Sequence, residues 1–364
     1  MKKLLTSILA FMLIATLSFS LFGCNDPIDP DAQLPKPDVT IDDTWDGTIA
    51  NLPEENEGVY VIETAEQLAS VAEVVNDGTN TFKGKTVKLI KNIDLANRNW
   101  EPIGNSTNKF EGIFDGDGHT IANLKVDKTG ASNVGLFGFT VNGEIKNLRV
   151  FNASVKGRLN VGVVAGTPYT SKYTNITIKG RITVDGMAYV GGLVGKNAYA
   201  NITDITIDVI SSSYVKANSV EDGIAYRTYV GGVIGFMGEG SHVVSNVTSN
   251  VNVIGSTCDV GGISGIAHYQ NSFINCSSSG NVSIYGGGVS EKDGEKVYDP
   301  VEIGGIAGVW HNESGTSVTL TNCSFTGTLT IKYIDGTTYE NEFPNNKLCG
   351  VAYNSTGTGT LIIN

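Results

Sequence analysis

Six copies of one short motif run down this chain and constrain its fold more than any other feature. They are Val134-Gly-Leu-Phe-Gly138, Val161-Gly-Val-Val-Ala-Gly166, Val190-Gly-Gly-Leu-Val-Gly195, Val230-Gly-Gly-Val-Ile-Gly235, Val260-Gly-Gly-Ile-Ser-Gly265 and Ile303-Gly-Gly-Ile-Ala-Gly308, with a decayed copy at Cys349-Gly-Val-Ala352. The closing glycines are 28, 29, 40, 30 and 43 residues apart. A second motif keeps step: Asn123-Leu-Lys-Val, Asn147-Leu-Arg-Val, Asn175-Ile-Thr-Ile, Asp204-Ile-Thr-Ile, Asn246-Val-Thr-Ser, Asn275-Cys-Ser-Ser and Asn322-Cys-Ser-Phe. Both read as short strands bounded by Gly and Asn.

A unit of this length buries no core alone, so neighbours must stack, and strands without helical crossovers predict an all-β parallel solenoid. Successive rungs would lie ~4.8 Å apart. Val134, Val161, Val190, Val230, Val260, Ile303 and Cys349 are then expected in one inward column, and Leu148, Ile176, Ile205, Val247, Cys276 and Cys323 in another. The Asn column is expected to cap turns by bonding the next rung's backbone. Cys276, Cys323 and Cys349 replace aliphatic residues and read as small core hydrophobes, with a Cys276–Cys323 disulfide sterically open. Cys258 has no sequence partner, and no spacing suggests a zinc site.

Residues 1–23 read as a lipoprotein signal peptide. Lys2 and Lys3 precede an apolar run that ends at Leu21-Phe22-Gly23-Cys24, which resembles a bacterial lipobox, so Cys24 is the expected lipidation site and membrane anchor. Residues 24–58 hold five of the nine prolines; from Asn25 to Gly58 ten acids face one base. This stretch reads as an extended acidic tether. The net charge of -12 argues against a nucleic-acid partner. Residues 59–126 read as an N-terminal cap and first coils, with a capping box at Thr64-Ala-Glu-Gln67 opening a short helix that Asn76-Asp77-Gly78 ends. Residues 127–364 carry the repeats. The sequence ends on Leu361-Ile-Ile-Asn364, an apolar strand without obvious cover, so the expectation is either self-association at that end or shielding by the final coil's own loops.

Gly-Leu-Phe-Gly and Val-Gly-Gly-Leu-Val-Gly resemble the GLUG repeat of bacterial surface proteins and of the non-catalytic region of some immunoglobulin A1 peptidases. Thr64-Ala-Glu-Gln-Leu68, Thr81-Phe-Lys-Gly-Lys85, Asn92-Ile-Asp-Leu95, Trp100-Glu-Pro-Ile-Gly104 and Phe110-Glu-Gly-Ile-Phe-Asp-Gly-Asp-Gly-His-Thr-Ile121 resemble the capping coils before such repeats. The resemblance covers most of residues 59–355. It implies a right-handed parallel β-helix and an extracellular address. It does not imply peptidase activity, since the chain contains no His-Glu-x-x-His motif.

Three groups are candidates for chemistry. Asp115-Gly-Asp-Gly-His119 has ligands for Ca²⁺ or an acid–base pair, but reads first as a glycine-punctuated turn. Asn160, Tyr189, Tyr229, Asp259 and Glu302 precede the valine column and are expected to point outward. Asp259 and Glu302 would stack about 5 Å apart, near a retaining glycosidase's carboxyl separation, and are the candidate catalytic pair. His268 and His311, each three residues past a motif glycine, are too few for zinc. Insertions at about 208–228, 286–302 and 333–347 enter at one corner and carry Tyr214, Tyr226, Tyr298, Tyr339 and Phe343. Tyr189, Tyr229, Asp259, Glu302, Tyr226 and Tyr298 are the expected ligand-binding residues, since aromatic faces beside polar groups suit sugars and polypeptides. The reading is therefore an outer-membrane, surface-exposed lipoprotein binding glycan or host protein, without cofactor or metal. A glycoside hydrolase or polysaccharide lyase and a structural surface-assembly component are the alternatives.

Overall fold

The computed structural model describes residues 34–364, apart from 219, 222, 223, 226, 227, 239, 257, 258, 288, 293, 294, 299, 300, 311–314, 341–346 and 351–359. Cys24, Tyr226, Cys258, His311 and Phe343 lie outside the described residues.

Alternation builds the strands, and one residue per strand breaks it. Along Lys172–Gly186 the buried side chains include Tyr173, Ile176 and Ile178. The three-residue step falls on Asn175, whose φ is +54°. A left-handed residue adds one position and re-aims the strand, so Tyr173 and Ile176 both face inward. Asn147, Asp204, Asn246 and Asn275 do the same between Ile145 and Leu148, Ile202 and Ile205, Val244 and Val247, and Phe273 and Cys276.

These strands pair, mostly in parallel, in one wide 19-stranded sheet. Lys172–Gly186 lies between Glu144–Lys156 on one side and Asn201–Val209 with Tyr214–Asn218 on the other. Two narrow six-stranded parallel sheets complete the rungs. The first holds Ser132–Val134, Leu159–Gly162, Ala188–Gly191, Tyr229–Gly231, Asp259–Gly261 and Ile303–Gly304; the second runs from Phe137–Val141 to Ala307–Trp310. Among the described residues the one helix is Ala65–Asn76. Thr64 and Gln67 form the expected capping box, and Leu68, Val71, Ala72 and Val75 join the main core. The fold is mostly β, with long parallel sheets.

The valine column stands in the expected register from Val134 to Ile303. So does the column from Leu148 to Cys276. Two placements differ from the sequence reading. Cys349 bridges to Ala307 and extends the second narrow sheet instead of following Ile303, because Gly305 and Ile306 donate to Lys347 O and Leu348 O. Asn123 stands over Asn152, not Asn147, since Ala122 pairs with Phe151 and Leu124 with Ala153. The rung Glu144–Lys156 bends twice, at Asn147 and at Asn152, both with positive φ.

In the column from Asn147 to Asn322 the amides bond each other along the stack, whereas at the second bend Asn152 Oδ1 accepts the Arg181 N–H of the next rung at 2.9 Å. Asn147 Nδ2 donates to Asp115 Oδ1 at 2.9 Å, and Asn175 Nδ2 to Asn147 Oδ1 at 2.9 Å. The series restarts with Asn246 donating to Asp204 Oδ1 at 2.8 Å, Asn275 to Asn246 at 3.0 Å and Asn322 to Asn275 at 3.2 Å. Donation runs one way because each series begins on an acid, which when ionised only accepts.

The tether is shorter than the sequence reading makes it. From Pro35 the chain is pinned to the rungs: Asn152 Nδ2 donates to Pro35 O at 2.9 Å, and Arg149 pairs with Asp38 at 2.9 Å. Asp43–Thr44 adds a parallel strand beside Ile93–Asp94, Trp45 is buried, and the Asp43 carboxylate accepts the Ala65 N–H at 2.7 Å. Acids that repel one another in an extended chain here have partners.

The insertions do share one corner. Antiparallel hairpins Val220–Glu221 with Ile224–Ala225, and Val289–Lys292 with Glu295–Tyr298, both fall between a wide-sheet strand and the next strand of the first narrow sheet. Thr338–Glu340 folds back antiparallel on Leu329–Tyr333 at the equivalent place.

The ladder yields a prediction. Asp204→Asn supplies the donor that Asp204 lacks toward Asn175 and keeps the acceptor for Asn246. Urea unfolding of D204N should show a gain of about 0.5–1 kcal/mol; a loss would contradict the ladder.

Candidate functional site

Outside the main core, side chains of the two narrow sheets meet in a second cluster. Tyr229, Ile266 and Val309 are buried there, with Tyr189 and Phe236 packed against them. The first sheet contributes the column Asn133, Asn160, Tyr189, Tyr229, Asp259 and Glu302, in register through the adjoining valines. The second contributes Phe139, Thr167, Lys196, Phe236, Ile266 and Val309, each the residue after a closing glycine.

The strip changes character along its length. At one end Asn160 Nδ2 and Thr167 Oγ1 both donate to Asn133 Oδ1 at 2.7 Å. In the middle Tyr189 and Tyr229 stack, centroids 5.9 Å apart and planes 8° from parallel. Phe236 lies 5.1 Å from Tyr189, 5.3 Å from Tyr229 and 5.3 Å from His268, which contacts Tyr269. Lys196 Nζ sits 5.9 Å from the Tyr189 centroid and 5.7 Å from that of Phe236, within cation–π range. Asp259 and Glu302 follow on adjacent rungs, with the Val260 N–H donating to Glu302 O at 2.8 Å.

Tyr269 has a φ of +48°, and Tyr189 is strained too. Its φ is +58°, in the region that Asn133 (+62°) and Asn160 (+55°) occupy in the same column. Asn tolerates that conformation; a bulky aromatic residue there costs on the order of 1–2 kcal/mol.

The structure brings Tyr189, Tyr229, Asp259 and Glu302 together, but not on an open face. Tyr229 is 8% exposed and Asp259 5%, whereas Tyr189, Lys196, Phe236, Tyr269 and Glu302 are partly exposed. The expected outward pair is roofed because residues after the closing glycines pack over it. Tyr298 ends a hairpin strand paired with Val289, and its side chain lies outside the described ones. Lys196 and Phe236 were not among the sequence candidates; their position after Gly195 and Gly235 is the signal that finds them.

In the Asp115–His119 group, Asp115 takes a structural part. Asp115 Oδ1 accepts from Asn147 Nδ2 and from the Asp117 N–H at 2.9 Å, so it anchors the ladder and its own turn. Among the described residues no group of three His, Cys, Asp or Glu side chains is placed to hold a metal ion.

Cys276, Cys323 and Cys349 are free thiols. The Cys276 S–H has three acceptors in reach, Val244 O at 3.4 Å, Ile274 O at 3.5 Å and the Cys323 sulfur. When Cys323 ionises, the thiolate is the stronger acceptor, which pulls Cys323 down to about 7. That bond and burial push Cys276 up, and burial pushes Cys349 up. Iodoacetamide with peptide mapping should therefore label Cys323 well before Cys276 or Cys349, at a rate rising through about pH 7. Equal labelling of the three would contradict this.

No protein-family model matches the chain. Halomucin of Haloquadratum walsbyi is 38% identical over 152 residues, 38% of this chain and 2% of that protein. A protein of Evansella cellulosilytica, provisionally described as a Gly-rich membrane protein, is 30% identical over 184 residues, 42% of this chain and 21% of that one. The chain thus matches about a fifth or less of the length of these curated relatives. The crystal structure of a candidate immunoglobulin A1 protease from Bacteroides ovatus superimposes with a TM-score of 0.55 at 19% identity, covering 83% of each chain. At that identity the likeness shows the fold.

Proposed function

We propose that the chain is a bacterial cell-envelope lipoprotein, a right-handed parallel β-helix of GLUG-type repeats that binds glycan along its aromatic strip. The repeats, the lipobox at Cys24 and the names of the two curated relatives support the fold and address. Tyr189 carries the binding reading. A strained residue kept at a conformational cost points to function, and this one lies between Lys196 and Phe236, where the strip is partly open. Aromatic area beside an ammonium suits a sugar ring with polar or acidic substituents. Asp259 and Glu302, on adjacent rungs, keep a glycoside hydrolase as the second reading.

Tyr189→Asn separates function from stability. On an array of immobilised polysaccharides the chain should bind at least one, and Y189N and Lys196→Ala should each weaken it about tenfold or more, or about 1.4 kcal/mol. Y189N should melt at or above the unaltered chain, because Asn relieves the left-handed strain. No bound glycan, or unchanged binding by both variants, would overturn the reading. Product released from the same panel and lost in Glu302→Gln would establish the enzyme instead.

A further inference from the structure

A second concavity lies far along the sequence from the strip, beside the helix. It has a volume of about 510 Å³, within the range that holds small ligands. One wall is the helix face of Ala69, Ala72, Glu73 and Asn76, where two alanines leave space that longer side chains would fill. Trp45 and Trp100, centroids 5.6 Å apart and crossed at 69°, line it, with Ile49, 52% exposed, nearby.

The polar groups on this lining are largely engaged. Trp45 Nε1 donates to Thr48 O and Trp100 Nε1 to Leu136 O, so both indoles offer only carbon to a ligand. Asn76 donates to Pro102 O at 2.9 Å and accepts the Gly104 N–H at 2.9 Å. Charge decides the rest. Glu73, Asp77 and Glu101 line the groove; of the nearby cations, Lys128 is paired with Glu101, and Arg98 lies behind the wall, its Nε donating to Trp45 O at 3.1 Å beside Gly47. Asp77 accepts from the Thr79 N–H, and the hydrogen bonds of Thr79 hold its carboxyl below the usual range, so it stays charged. An apolar wall with acids at its rim favours a cationic ligand over an anionic one.

We propose that this groove is a binding site for a small organic cation, an ammonium group on an apolar, preferably aromatic, body. The body lies against Trp45, Trp100 and Ala72, and the ammonium faces Glu73. The site is independent of the strip and of the glycan reading.

The test is tryptophan fluorescence of the Trp310→Phe chain, in which the remaining indoles are Trp45 and Trp100, titrated with 2-phenylethylamine, 2-phenylethanol and 3-phenylpropionate. The ammonium compound should give a saturable change with a Kd at least about fivefold below that of the alcohol, and the carboxylate none. Glu73→Gln, a change at an exposed position, should weaken the amine about three- to fivefold and leave the alcohol unaffected. Ala72→Leu should abolish both responses by filling the groove. Equal binding of amine and alcohol, an unchanged Kd in E73Q, or no saturable response would each overturn the proposal.

Discussion

The contact on which the rest depends is backbone against backbone. Where the second narrow sheet meets the first, a Cβ on Gly195 would lie 2.3 Å from the Asn160 carbonyl carbon, and one on Gly235 would lie 2.4 Å from Val190 N. From Gly166 to Gly308 each closing glycine sits on the first narrow strand of the preceding rung, so the two sheets press together at a distance only hydrogen permits. That approach interlocks consecutive rungs. It also brings the residue after each closing glycine over the column that begins at Asn133, which is how Phe236 comes to roof Tyr229.

The Asn series works at another corner with a different interaction. Its amides share hydrogen bonds along the stack, each donating toward the N-terminal end, and their left-handed backbone places the bend in the wide sheet. Glycine sets the spacing between sheets and asparagine the direction of each strand. The outer columns then inherit a fixed rise per rung. Tyr189, Lys196 and Phe236 add ring and cation–π contacts to that geometry.

Much of this was legible in the sequence. The valine column could be read because every copy opens on Val or Ile followed by glycine and closes on glycine, so aligning the openings fixes the register. The helix was marked by Thr64 and Gln67. Cys349 was misplaced because its motif is truncated, and Asn123 because the two bends of Glu144–Lys156 use the same residue type. The docked segment from Pro35 was hidden because its partners are remote: Asp38 meets Arg149, 111 residues away. The cover over Tyr229 and Asp259 was missed because alternation assigns a face, but not what another sheet lays upon it.

The glycine contact can be tested by one comparison of thermal and urea unfolding, using Gly235→Ala against Gly130→Ala. Gly130 would place its Cβ in open space, and its substitution should change stability by no more than about 0.5 kcal/mol. Gly235→Ala has no such room and should cost about 3 kcal/mol or more, with loss of cooperativity. Equal stability of the two variants would mean that the sheets do not touch through glycine, and the account of the stack would be wrong.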